Sequence, residues 1–332
     1  MSKMKLHAVQ FLLLLAFAFA QAKEYECQNN VKIDNFCLIS QFYGGSETAC
    51  KMRFPNHTAI KLQFPRIENL SARIAYNMRK VINLDISNGY VRNIYIKPEL
   101  VFLRATNCEL KKLYIDDRAP NQLEELYLSK NELSQLPENL RHLENLSMLD
   151  LSHNYIEFFD MGELHDLKFL SIVDVSYNRL KVVFAADTVQ LPDLVFLNLK
   201  HNSLTAMHIS HWETPILNEL DVSYNQLSHV AKFPQKLPGM VSANFEQNPL
   251  TCSWLRETTK LLEAKNATFT SSLTTCVEPN RLYQSKETFI HELEMKDLLR
   301  ANILEIARNL TEAEIDVDDK IDDIFCRIMG GV

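Results

Sequence analysis

The chain has 332 residues, 46% hydrophobic and 23% charged, with only 7 glycines and a formal net charge of −7. That composition excludes a disordered tail and a collagen-like repeat, and it argues against a glycine-cradled nucleotide site. With a sequence pI near 5.8, a general affinity for nucleic acid is not expected.

Residues 1–22 read as a signal peptide. Lys3 and Lys5 precede the apolar run from Phe11 to Ala20, and Ala20-Gln21-Ala22 supplies the small residues a signal peptidase accepts. The run is shorter than the ~20 residues of a spanning helix, so the mature chain is expected to be secreted, with no membrane insertion. Residues 23–57 form an N-terminal cap carrying Cys27, Cys37 and Cys50. All seven cysteines follow the cleavage site, where oxidation is the default. Cys27 with Cys37 is the preferred pair, and Cys50 with either stays open, since spacing does not fix connectivity. Asn-x-Ser/Thr sequons at Asn56, Asn69, Asn145, Asn266 and Asn309 are candidate glycosylation sites of an exported chain.

Residues 58–250 carry a repeat of the form L-x-x-L-x-L-x-x-N-x-L, as in Leu123-Glu-Glu-Leu-Tyr-Leu-Ser-Lys-Asn131-Glu-Leu133. The asparagine slot falls at 108, 131, 154, 178, 202, 225 and 248, with Cys108 replacing asparagine in the first of these and Gly89 in a degenerate copy before it. Counting the first leucine as zero, positions +3 and +5 point to one side of a strand and +2, +4 and +6 to the other. A single coil cannot bury its apolar side, so coils must stack into a continuous core. The asparagine is expected to pair buried main-chain groups. Cys108 then reads as a buried free thiol, and Gly89 as a point of looser order. The segments between strands, such as Ser134 to Leu143, read as turns or single helical turns on the outer side.

This pattern resembles the leucine-rich repeat. The resemblance implies an α/β solenoid, curved as a horseshoe, with a parallel sheet on its concave face, cysteine-bearing caps and a C-terminal helical tail. Within 251–281, Asn248-Pro-Leu-Thr-Cys252-Ser-Trp254-Leu resembles the cysteine cap of extracellular repeat proteins. That likeness makes Cys276 the partner of Cys252, Leu255 to Lys265 the cap helix, and Trp254 a cover over the last coil. Residues 282–332 read as an acidic helical tail, with 12 acidic and 5 basic residues from Lys286 to Asp323. It is expected either to pack on the cap or fray in solvent, or else to bind a partner or a second copy, with Cys326 either pairing within the chain or forming an intermolecular disulfide.

No His-Glu-x-x-His, Gly-x-Ser-x-Gly or Walker pattern occurs, so neither catalysis nor a cofactor or metal is expected; His208 and His211 read as packing or surface residues. The functional candidate is the concave face. Its +4 column runs Asp85, Arg104, Tyr127, Asp150, Asp174, Asn198, Asp221 and Asn244, and its +7 column includes Lys130, His153, Tyr177, His201 and Tyr224. The aspartates and serines belong to the repeat itself. Phe102, Tyr127, Tyr177, Phe196 and Tyr224 rise above it as partner-binding candidates.

The signal peptide, short cysteine-bearing N-terminus, 23–24-residue repeats, two-cysteine cap and helical tail resemble the secreted leucine-rich immune proteins of mosquitoes, in a short form without a coiled coil. The resemblance implies a circulating, non-enzymatic recognition protein of innate immunity. It would bind protein partners, complement-like proteins included, or microbial surfaces, through the concave face or the tail, as a homo- or hetero-oligomer. The alternative is an extracellular adhesion or signalling protein at cell surfaces.

Overall fold

The computed structural model describes residues 23–28, 35–40, 42–43, 52–271 and 276–277. Residues 1–22, read from the sequence as a signal peptide, lie outside them, as do Cys50 and residues 282–332, with Asn309 and Cys326. Among the described residues, no helix is long and apolar enough to cross a membrane.

Eleven parallel strands, one per coil, form a single sheet in chain order. They begin at Cys37–Ser40 and Ala59–Gln63, pass through short strands such as Phe102–Arg104, Met148–Asp150 and Glu219–Asp221, and end at Ser242–Asn244 and Thr268–Thr270. The register never slips: Leu126 lies opposite Leu149, Leu149 opposite Val173, Val173 opposite Leu197, and Leu197 opposite Leu220. These +3 residues and their +5 partners are fully or almost fully buried, and they join one hydrophobic cluster that runs without a break from Tyr25 to Leu262. Each buried leucine contributes about 1.5–3 kcal/mol relative to exposure, so the stack is held by its seam.

The asparagines close the coils. Asn154 Nδ2 donates to the carbonyls of Leu128 and Leu151, at 3.0 Å each, while its Oδ1 accepts from Leu133 N–H at 3.0 Å. Asn178, Asn202, Asn225 and Asn248 repeat this pattern in neighbouring coils, and Asn131 adds a second amide, accepting from both Cys108 and Leu110 N–H. Cys108 fills the slot with a free thiol whose Sγ donates to Ile86 O at 3.0 Å, and burial pushes its pKa up to about 11. Gly89 departs from expectation. A Cβ there would lie 2.4 Å from Pro65 Cγ, so the missing side chain serves close coil-to-coil packing rather than looser order.

The outer side carries the expected turns in some coils, Ser134 to Leu143 among them, and strands in others. Short 3-10 helices occur at Leu140–His142 and Met161–Leu164. A short α-helix spans Ala72–Asn77, and other outer segments are extended and pair in parallel, as in the ladder of Asn69–Leu70, Asn93–Ile96 and Lys112–Ile115 and that of Phe158–Asp160, Val182–Phe184 and Ala206–Met207. The alternation of Ile94 with Ile96 and of Leu113 with Ile115, rich in β-branched residues, suits a strand better than a helical turn.

Both ends are closed. At the N-terminus, Cys27 is bonded to Cys37, and Tyr25 packs its ring on Phe42 and Phe54 with centroids 5.0 and 5.3 Å away. At the C-terminus, the helix Cys252–Glu263 starts three residues earlier than the sequence suggested, with Thr251 as its N-cap residue. The Cys252–Cys276 disulfide ties it down. Trp254 packs on Phe233, Phe245 and Phe269 and donates Nε1–H to Val230 O at 3.1 Å, covering the last coil.

Candidate functional site

The short strands consist of positions +2 to +4, so only +2 and +4 face outward from the long sheet. The +4 aspartates do structural work first. Oδ1 of Asp150, Asp174 and Asp221 accepts the backbone N–H of Ser152, Ser176 and Ser223 at 2.9 Å, which bends the chain off the strand. Asp85 is buried: it accepts Ser87 N–H and Lys61 Nζ, at 3.0 and 2.8 Å, and these bonds outweigh desolvation and hold its carboxyl below the usual range.

The +7 residues are not on the sheet. Lys130, His153, Tyr177, His201 and Tyr224 all have φ between 52° and 57°, left-handed bends three residues past the strand. The column therefore forms a rim beside the concave face, a correction to its expected place on that face. The common geometry stacks the rings. His153, Tyr177, His201 and Tyr224 form one pile with successive centroids 4.2, 4.3 and 4.2 Å apart and planes within 16° of parallel. Tyr177 and Tyr224 remain 39% and 47% exposed, and Lys200 Nζ sits 5.8 Å from the Tyr177 ring centre.

The five aromatic candidates therefore divide. Phe102 and Tyr127 lie on adjacent strands with centroids 5.7 Å apart, and Arg104 packs over both rings at 5.2 and 5.0 Å. Tyr127 OH donates to Glu125 Oε2 at 2.9 Å; desolvation, then that bond, raises its pKa. Tyr177 and Tyr224 belong to the rim stack. Phe196 stands in the +2 column, across from Ile172 on one side and Glu219 on the other.

That +2 column holds what sequence reasoning passed over. Met148, Ile172 and Phe196 occupy three consecutive strands and point away from the core, with Ile172 36% exposed. The signal was the period-two alternation, which puts +2 on the same side as +4. Met148 and Ile172 resemble core residues in type and drew no notice. His208 and His211 lie on the outer side, and His211 Nδ1 is 3.0 Å from Ala185 O, a backbone-holding contact.

Of the candidate glycan sites, Asn56, Asn145 and Asn266 are exposed, whereas Asn69 is half-buried and accepts Asn93 Nδ2–H at 2.5 Å.

A stack of coils with one asparagine rung per turn, a single parallel sheet along one side and disulfide-bonded ends is a leucine-rich repeat solenoid. The comparisons agree. The Leucine rich repeat family matches residues 118–156. Fibromodulin from Sus scrofa is 35% identical over 136 residues, covering 33% of this chain and 91% of that sequence. Keratocan from Bos taurus is 28% identical over 190 residues, covering 49% of this chain and 53% of keratocan, so the match spans about half of that protein. The crystal structure of the LRIM1/APL1C complex superposes with a TM-score of 0.53 at 17% identity, over 97% of this chain and 69% of the other. The chain belongs to the leucine-rich repeat family.

Proposed function

We propose that this protein is a secreted, non-enzymatic recognition protein of innate immunity that holds a protein partner or a microbial surface on its concave face. The observation that carries the reading is the unbroken sheet face, with an outward apolar strip of half-buried Met148 and Phe196 about exposed Ile172, and a rigid aromatic rim beside it. Rigid aromatic and apolar anchors on a broad scaffold suit macromolecular recognition. The immune assignment draws support from the fold shared with LRIM1/APL1C, a structure of a complex. Secretion and glycosylation are supported by the export signal, the disulfides and the exposed sequons.

A second reading, a signalling or adhesion role at cell surfaces, is favoured by a different match. Toll-like receptor 2 type-1 of Gallus gallus is 30% identical over 157 residues, though the match covers only 20% of that receptor.

The test is capture by the full chain from the extracellular fluid of its source and sedimentation with killed bacteria. It is run with the native protein and with the triple variant Tyr177→Ala/Tyr224→Ala/Ile172→Asp. Loss of both activities in a variant that stays folded at the assay temperature, as circular dichroism shows, supports the concave site. Undiminished capture by the variant moves the function to another surface, the tail first. Retention at the surface of expressing cells, with no binding to bacteria, favours the second reading.

A further inference from the structure

The charges on the concave face say what kind of partner it fits. From Glu125–Tyr127 to Ser242–Asn244 the outward side chains of the sheet include Glu125, Asp150, Asp174, Glu219 and Asp221, and these strands contain no lysine or arginine. None of the five carboxylates has an ion-pair partner among the described residues. The aspartates are partly accounted for by the bends they cap, but Oδ2 of Asp150 and Asp221 has no hydrogen bond among the described residues. Glu125 and Glu219 occupy the variable +2 position, which the repeat does not specify. Arg104, on the adjacent strand, packs over the Tyr127 ring beside Glu125, Lys130 stands on the rim, and Lys200 Nζ lies 5.8 Å from the Tyr177 ring centre.

The +2 column has a definite order: Glu125, Met148, Ile172, Phe196, Glu219. An apolar strip is thus bracketed by one carboxylate at each end. Four inter-strand steps at about 4.8 Å put the two glutamates roughly 19 Å apart, the span of about six residues of extended chain.

Resting on the concave-face reading above, we propose that the occupant is a cationic segment of a partner protein, with lysine or arginine on both sides of a short apolar stretch. The apolar residues lie on Ile172 and Phe196, the terminal cations meet Glu125 and Glu219, and Asp150, Asp174 and Asp221 supply a parallel row of negative charge. Arginine in such a segment also meets the ring edges along the rim, the faces within the pile being covered by their neighbours. A second copy of this chain is a poor occupant on charge grounds, since its net charge is −7.

The probe is a labelled seven-residue peptide with lysine at both ends of an alternating valine–threonine core, titrated against the full chain by fluorescence anisotropy. A control peptide carries glutamate in place of both lysines. Expected are binding of the lysine peptide only, weakening as salt rises from 50 to 500 mM, and at least about five-fold weaker binding to Glu125→Gln/Glu219→Gln. These surface changes preserve shape, and a thermal melt confirms folding. No binding of the lysine peptide, equal binding of both peptides, or an unchanged affinity of the glutamine variant overturns the proposal. Self-association of the native chain that Ile172→Asp abolishes assigns the face to a second copy and also overturns it. Loss of natural capture in the Tyr177→Ala/Tyr224→Ala/Ile172→Asp variant but not in Glu125→Gln/Glu219→Gln leaves the concave reading standing and removes only the cationic partner.

Discussion

His201 and Tyr224 belong to successive coils, yet their ring centroids lie 4.2 Å apart with planes 11° from parallel. Both sit on the same left-handed bend, with φ of 52° and 56°, so the period of the repeat brings the rings face to face. Tyr177 is stacked on both sides, against His153 and His201. Tyr177→Ala is expected to lower stability by about 1–2 kcal/mol in urea titrations, from two partly exposed ring contacts, and Tyr177→Phe by under about 0.5 kcal/mol. Equal stability of Tyr177→Ala and the native chain would mean that the stack contributes nothing in solution.

The asparagine rungs predict a larger effect. Asn154→Ala leaves Leu133 N–H without its partner in the interior and removes one of the two asparagine donors from each of the Leu128 and Leu151 carbonyls, which keep Asn131 and Asn178. The stranded N–H costs about 1–3 kcal/mol and each lost carbonyl bond about 0.5–1.5 kcal/mol, so a loss of roughly 2–6 kcal/mol follows. Asn154→Cys is expected to cost less, because Cys108 occupies the same slot and donates to Ile86 O. Denaturant midpoints of the two variants decide the order, and a reversed order refutes it.

The contrast between rung and rim explains how much could be read in the sequence. The strands, their register, Asn131 to Asn248 and the Cys27–Cys37 and Cys252–Cys276 bonds follow from spacing, residue type and family likeness, because a repeat writes its core contacts into a fixed period. The outer ladders did not, since an outer segment has no consensus and Ile94 or Val183 satisfies either a turn or a strand. The site was half legible. His153 and Tyr177 were visible as a column, but their stacking depends on a backbone dihedral that the residue names do not encode. Met148 and Ile172 were hidden by looking like core.

A pH dependence follows from the outer side. Asp116, 5% exposed, accepts Tyr76 OH at 2.9 Å, Tyr95 OH, and Arg118 Nε at 2.8 Å. Arg118 first, then Tyr95 and Tyr76 against the opposing desolvation, hold its carboxyl far below the ordinary value of 3.8. A carboxyl depressed in the folded state stabilises above its unfolded pKa, and that contribution is lost as pH falls through the folded value. The stability difference between the native chain and Asp116→Asn should therefore be constant above about pH 5 and shrink below pH 4. A difference that stays flat down to pH 2.5, or grows on acidification, contradicts the assignment.

Glycan occupancy should follow exposure. Asn56 and Asn266 are exposed, and Asn145, also exposed, spends one Nδ2 hydrogen on Asn121 O at 3.0 Å. Asn69 is half-buried and tied to Asn93. Chain expressed through a eukaryotic secretory route is expected to carry glycans at Asn56 and Asn266 and little at Asn69, as mapped by mass spectrometry after enzymatic deglycosylation. A fully occupied Asn69 would show that the outer Asn69–Leu70 edge is not closed when the glycan is added.

The Cys252–Cys276 bond fastens the far end of the stack. It closes a loop of 24 residues, for which the chain-entropy estimate is about 3 kcal/mol. It also holds the Cys252–Glu263 helix over Phe245 and the last strand, Thr268–Thr270, which pairs with Ser242–Asn244. Cys252→Ser/Cys276→Ser should therefore unfold from that end. Amide exchange is expected to quicken in residues 242–270 while the strands from 125 to 174 keep their protection, since each coil touches only its neighbours. Uniform acceleration along the whole sheet would instead mean that the solenoid opens as one cooperative unit, and that the cap stabilises every coil equally.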